Sequence, residues 1–231
     1  MYCGCDCHTA RKNNGRLTPQ IDTLRHSPRK DSMLTRNQFF VKEHVGMFKL
    51  ANTYDILDLE TNEKIGVAKE KPSGLTLALR FFVNKQLLPT KVEIIENPDE
   101  KGNGNVLITI KRGITLLRSK IKVYLGSDKE IGYFKSKLFS FGGGFWLYDT
   151  SDKKIAEVKG DWKGWNFKLL GESGNELGTV TKKWAGLGKE LFTSADNYVI
   201  SINDELGDNR PVKALLLAAG IAIDTVFKEK S

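Results

Sequence analysis

Beyond Cys7 the sequence contains no cysteine, because Cys3, Cys5 and Cys7 all stand within the first seven of its 231 residues. No disulfide can staple the rest of the chain, and a reducing compartment is expected. Histidine is scarce, with three residues. His26 lies in a polar tail and His44 stands alone, with no Cys, Ser or Asp arrangement around it in sequence, so neither a catalytic triad nor a metal triad emerges and no enzymatic chemistry is expected. The opening stretch MYCGCDCHTARKNNGRLTPQ lacks the apolar region a secretory signal needs, and a cytoplasmic location, peripheral to a membrane at most, is expected. Long apolar runs are missing as well. The longest, Ala214 to Ile223, has ten residues without charge or hydrogen-bonding side chain. Extended from Val212 to Phe227 it reaches sixteen and takes in Lys213 and Asp224, short of the ~20 apolar residues a membrane-spanning helix requires.

What is present is an ordinary globular composition, 40% hydrophobic and 28% charged, with a net charge of +8. Residues 1–32 hold six Lys/Arg against three Asp and almost no large apolar side chains, which predicts a disordered basic tail carrying the cysteine cluster. Organised sequence begins at Met33, a second candidate start codon. A basic surplus draws phosphates, on lipid head groups or on nucleic acid. Nucleic acid has only the charge in its favour and is not expected as a partner.

From residue 33 one pattern recurs. LDLETNEKIGVAK from Leu57, VYLGSDKEIGYFK from Val123, LYDTSDKKIAEVK from Leu147 and LLGESGNELGTVT from Leu169 each join an apolar run to a second, alternating run. Between the runs lie polar turn residues, then Ile or Leu followed by Gly or Ala. A looser copy, VEIIENPDEKGNGNVLITIK, is anchored on Leu107. This is a β-hairpin signature, and hairpins every twenty-odd residues predict an up-and-down antiparallel meander. Five or six hairpins imply on the order of ten to twelve strands, and a sheet that large closes to remove its edges.

The apolar C-terminal run, read as a helix over about 211–228, is greasy on every side and must be surrounded by protein if not by lipid. Asp208 or Asn209 can cap it and Pro211 suits its first turn. A barrel of about twelve strands has a lumen of helix dimensions. The expected fold is therefore all-β with one buried helix: a closed antiparallel barrel around a hydrophobic C-terminal helix, over residues 33–231. A lipid anchor and a helix docked on a partner are the alternatives.

The C-terminal third, through Trp184, Gly186, the run Phe192 to Ile200 and the helix ending in Ile-Asp, resembles the phospholipid scramblase family. KSKLFSFGGGFWLYDTSDKKIAEVKG is similar to the related LURP-one group. Both belong to the tubby C-terminal-like superfamily, and the resemblance implies a twelve-stranded barrel around a central helix. It further implies a phospholipid scramblase-like protein that binds or translocates phospholipids at the cytoplasmic face of a membrane without chemical catalysis. The alternative it offers is a non-catalytic module binding phosphoinositides or a protein partner. Anionic phospholipids or phosphoinositides are the expected ligands.

The family's calcium segment matches Asp196, Asn197 and Tyr198, then departs into INDELGDN. Asp196, Asp204, Glu205 and Asp208 are candidate Ca²⁺ ligands, with a solvated turn before the helix as the alternative. Cys3, Cys5 and Cys7 are candidate acylation sites beside Arg11, Lys12 and Arg16. Their spacing is not that of a zinc site. Trp162, Lys163, Trp165 and Lys168 have a composition suited to a membrane interface, but Trp162 and Trp165 are three apart, so at least one is expected in the core.

Overall fold

A computed structural model describes residues 32–44, 51–79, 82, 87–114, 120–136, 144–161, 165–182 and 197–224. The chain divides into Met1–Lys30 and Asp31–Ser231, and the second unit carries all the described elements. Residues 1–31 of the expected tail, with Cys3, Cys5 and Cys7, lie outside the described residues.

Twelve strands follow in chain order: β1 (Gln38–Glu43), β2 (Thr53–Asp58), β3 (Lys64–Glu70), β4 (Thr90–Glu96), β5 (Asn105–Arg112), β6 (Lys120–Leu125), β7 (Lys129–Ser136), β8 (Gly144–Tyr148), β9 (Lys154–Asp161), β10 (Asn166–Gly171), β11 (Glu176–Thr181) and β12 (Tyr198–Ile202). A short helix α1 (Gly74–Leu79) interrupts the passage from β3 to β4, and α2 (Arg210–Ala222) ends the fold. Every strand pairs antiparallel with its sequence neighbours. β1 and β12 close the barrel, from Gln38 opposite Ser201 to Val41 opposite Tyr198. The expected closed barrel around a C-terminal helix is the fold observed.

The repeated motif is explained by its geometry. β2–β3, β4–β5, β6–β7, β8–β9 and β10–β11 each carry a register shift next to their turn. A bulge of this kind adds twist and lets a short connection close. Three residues before the anchors Ile65, Ile155 and Leu177 stand Asn62, Asp152 and Gly174, all at positive φ, a conformation that Asn, Asp and Gly tolerate best. Asp58 and Asp149 begin two of these turns by accepting backbone N–H groups, Glu60 and Thr61 at 2.9 and 3.0 Å, and Ser151 and Lys153 at 2.8 and 3.0 Å. The glycine after two of the anchors, Ile131 and Leu177, has a steric cause. At Gly132 and Gly178 a carbonyl of the adjacent strand, Tyr148 or Ser201, occupies the place a Cβ would take.

Alternate side chains point inward, among them Phe39 and Val41, Ile108 and Ile110, Ile121 and Val123, and Ile200 and Ile202. They meet α2, whose residues from Ala214 to Ile223 are buried without a break, a pattern no one-sided docking produces. Asn209 caps the helix by accepting the Val212 N–H at 3.3 Å, and Pro211 occupies the first turn. Leu215 packs against Gly132 of β7, whereas Gly220 packs against Ile200 of β12. Five residues of helix rotate the contact direction by about 140°. β7 and β12 lie five positions apart in the ring of twelve, about 150° around the wall. The helix is thus sheathed, and burying its Leu and Ile side chains stabilises the fold by roughly 1.5–3 kcal/mol each.

Candidate functional site

An up-and-down barrel delivers its connections alternately to two ends, and here the ends differ in chemistry. The hairpin end carries 59–63, 97–104, 126–128, 149–153, 172–175 and 203–209, which together hold eleven Asp/Glu and two Lys. The sequence that joins the strand ends opposite these turns, 44–52, 71–89, 113–119, 137–143, 162–165 and 182–197, holds ten Lys/Arg and two acidic residues, of which Lys71 and Lys182 are among the described residues. Connections at this second end also run longer and hold most of the large apolar residues outside strands and helices. Loops of this kind on a rigid frame are where binding surfaces concentrate.

At the hairpin end, a cleft of 260 Å³ is lined by Arg36, Asn37, Gln38, Asp58, Leu59, Glu60 and Asp204. Arg36 Nε lies 2.5 Å from Asp58 Oδ2. Burial opposes ionisation of Asp58, but the backbone N–H of Thr61 and the Arg36 guanidinium outweigh it and hold the carboxyl below its usual range. The Asn37 amide donates to Asp204. These charges satisfy one another and tie β1 to the turn that leads into α2.

Asp204, Glu205 and Asp208 are exposed around a 3₁₀ turn, Asp204–Leu206, where Asn203 accepts the Glu205 N–H at 3.0 Å. Among the described residues no three His, Cys, Asp or Glu side chains converge to hold a metal ion. Asp196 lies outside the described residues.

Trp165, at φ 46°, begins the approach to β10 and is 9% exposed. Its ring stands edge-on to Phe167 at 5.8 Å and lies against Tyr198 at 5.2 Å, with the Lys182 ammonium 4.3 Å from its centre. It lies in the core, in keeping with the expectation that at least one of Trp162 and Trp165 does. Trp162 and Lys163 lie outside the described residues. Lys168 points away from the barrel and pairs with Glu176 at 2.9 Å.

His44 is not alone, contrary to the sequence reading. Its Nε2 is 2.5 Å from Asp55 Oδ2, and Lys64 is 2.5 Å from Asp55 Oδ1. The pairing of β1 with β2 brings these groups together, which their sequence separation conceals. Burial pushes the Asp55 carboxyl up, but hydrogen bonds from Lys64 and His44 prevail and hold it below its ordinary value.

A second group escapes sequence reasoning. Asp224, buried just past α2, lies beside Tyr54 and Tyr198, both inside the barrel. Burial first, and the charge of Asp224 next, drive both phenols far above their usual range. Both tyrosines stay neutral inside the barrel.

Comparison with known proteins adds a family. The scramblase family model matches residues 17–230. The chain is 23% identical over 185 residues to altered inheritance rate of mitochondria protein 25 of Saccharomyces cerevisiae, covering 68% of this chain and 54% of that protein. It is 22% identical over 197 residues to a phospholipid scramblase family protein of Schizosaccharomyces pombe, covering 80% of this chain and 50% of that protein. The chain thus spans about half the length of these curated relatives. No solved structure matches it significantly.

Proposed function

Because the chain belongs to the scramblase family, we propose that it is a scramblase-like protein that binds phospholipids at the cytoplasmic face of a membrane and promotes their movement between leaflets. Such movement is ATP-independent transport and requires no chemical catalysis. The match over residues 17–230 carries the reading. The chain's net charge of +8 supports it, since anionic head groups supply the missing counter-charge.

One observation favours a second reading, a lipid- or protein-binding module without transport. Among the described residues no helix is long and apolar enough to cross a membrane, and α2 is enclosed by the barrel wall. Lipid therefore meets the outer surface of these elements.

Flotation of the full chain with neutral, phosphatidylserine and phosphoinositide vesicles, each with and without Ca²⁺, tests both readings. Fluorescent-lipid redistribution between leaflets is measured in parallel. Retention with redistribution supports the scramblase, and retention without it supports the module. Loss of retention on every vesicle overturns both. Calcium enters as a variable of this assay, which decides whether it acts at all.

A further inference from the structure

The four large apolar side chains that stand exposed among the described residues are all at the basic end, within one sector of the wall. Leu75 is 72% exposed, Phe82 87% and Leu87 40%, all on the passage from β3 to β4, and Ile114 is 79% exposed where β5 leads toward β6. Their placement is not incidental to α1, whose only fully buried described side chain is Thr76 while Leu75 faces out. Leu77 and Leu79 are half-buried, so Leu75 is the apolar side chain that this short helix turns to solvent.

Just behind these apolar tips runs a row of lysines. The Lys71 N–H donates to the Lys91 carbonyl at 2.7 Å. Lys91 is directly opposite Lys111, and Lys111 is directly opposite Lys122. Four cations thus stand side by side from the end of β3 to β6. Like charges directly opposed on neighbouring strands repel, so the row costs the fold stability. Lys91 and Lys122 pair with Glu93 at 2.6 Å and Glu130 at 2.8 Å. The Lys111 ammonium donates to the Ser127 carbonyl at 3.2 Å and lies 4.5 Å from the Tyr124 ring centre. Exposed pairs of this kind contribute little, and through Ser127 and Glu130 the Lys111 and Lys122 ammoniums lean toward the hairpin end, which leaves Lys71 and Lys91 nearest the apolar tips.

We propose that the β3–β6 sector of the basic end is the surface that docks on an anionic bilayer. Leu75, Phe82, Leu87 and Ile114 enter the interfacial region, and Lys71 and Lys91 behind them face the lipid phosphates. Apolar tips backed by cations match the layered chemistry of such a surface, acyl chains below and anionic phosphates above. The orientation follows from charge, because it turns the eleven carboxylates of the hairpin end away from the membrane.

The inference rests on the lipid-binding reading above, and flotation of the full chain separates the two. Two rim variants, Phe82→Ala with Ile114→Ala and Lys71→Glu with Lys91→Glu, are compared with Lys153→Glu with Lys168→Glu, which makes the same charge change elsewhere on the wall. Thermal melts establish that each is folded. The apolar pair lowers partitioning onto phosphatidylserine vesicles about tenfold or more. The rim lysine pair lowers it about fivefold or more, with the loss reduced at high salt. The control pair changes it less than twofold. If wild type is retained and the rim variants float equally well, or the control pair loses as much as the rim lysines, the docking surface is overturned while lipid binding stands. If wild type is retained by no vesicle, the lipid-binding reading itself fails.

Discussion

Gly220 of α2 and Ile200 of β12 are matched to one another: a Cβ built on Gly220 would stand 2.5 Å from Ile200 Cδ1 and 2.8 Å from its Cγ1. Because the barrel wall surrounds the helix, neither partner can retreat. Gly220→Leu is therefore expected to overpack the lumen and cost about 2–3 kcal/mol despite the better helix propensity of leucine. Urea denaturation checks this, and adding Ile200→Ala should restore part of the loss. Equal stability of Gly220→Leu and wild type would mean that the helix is not confined.

Leu216 touches solvent nowhere, although it lies on a helix with two polar ends. Leu216→Ala leaves a cavity in a closed wall and is expected to lower stability by about 2–5 kcal/mol. For a helix resting on the outside of the sheet the same truncation would cost well under 1 kcal/mol, so the measured value discriminates the two arrangements.

Acid should loosen the protein over a definable range. Asp55, Asp58, Asp99 and Asp149 all have folded-state pKa values below the ordinary 3.8. A carboxylate whose pKa is depressed by folding contributes stability that is complete above its unfolded pKa and is lost as pH falls through the folded value. Melting temperature is thus expected to hold down to about pH 4 and to drop below it. Asp55→Asn, which removes the charge shared by His44 and Lys64, should make that acid limb shallower and leave the neutral-pH fold intact.

Trp165 distinguishes packing from lipid contact. With its ring against Phe167 and Tyr198, Trp165→Ala is expected to cost about 3–5 kcal/mol. Trp165→Phe, still folded, should be retained on vesicles as wild type is. A selective loss of retention in the phenylalanine variant would place this side chain at the membrane instead.

The exposed carboxylates before α2 make a separate case. Since those described do not converge on a common point, Asp204→Asn, Glu205→Gln and Asp208→Asn together are expected to leave any calcium response of vesicle binding unchanged. Abolition of that response by the triple variant would assign the segment a metal after all.

The five hairpins legible in the sequence are the five that close at the acidic end. Each is a local event: Asp, Asn or Gly at a fixed offset closes the turn, and a bulge follows within a few residues, so the signal lies inside a window of about a dozen positions. The apolar stretch from Ala214 to Ile223 likewise announces that it must be enclosed, because its chemistry admits no solvated face. Connections at the basic end carry no turn chemistry that repeats, and the strand pairs they join could be inferred only from closure of the sheet.

The sequence by itself therefore determined the strand-turn-strand units and the enclosed helix. Tertiary structure alone decided the rest: that Lys71, Lys91, Lys111 and Lys122 form one row, that Trp165 turns inward, that His44 meets Asp55, and that Asp224 lies beside Tyr54 and Tyr198. The physical reason is register. Side chains far apart in the chain become neighbours only once each strand has slid to its place against the next, and that place is set by the pleat, the bulges and the helix filling the lumen together.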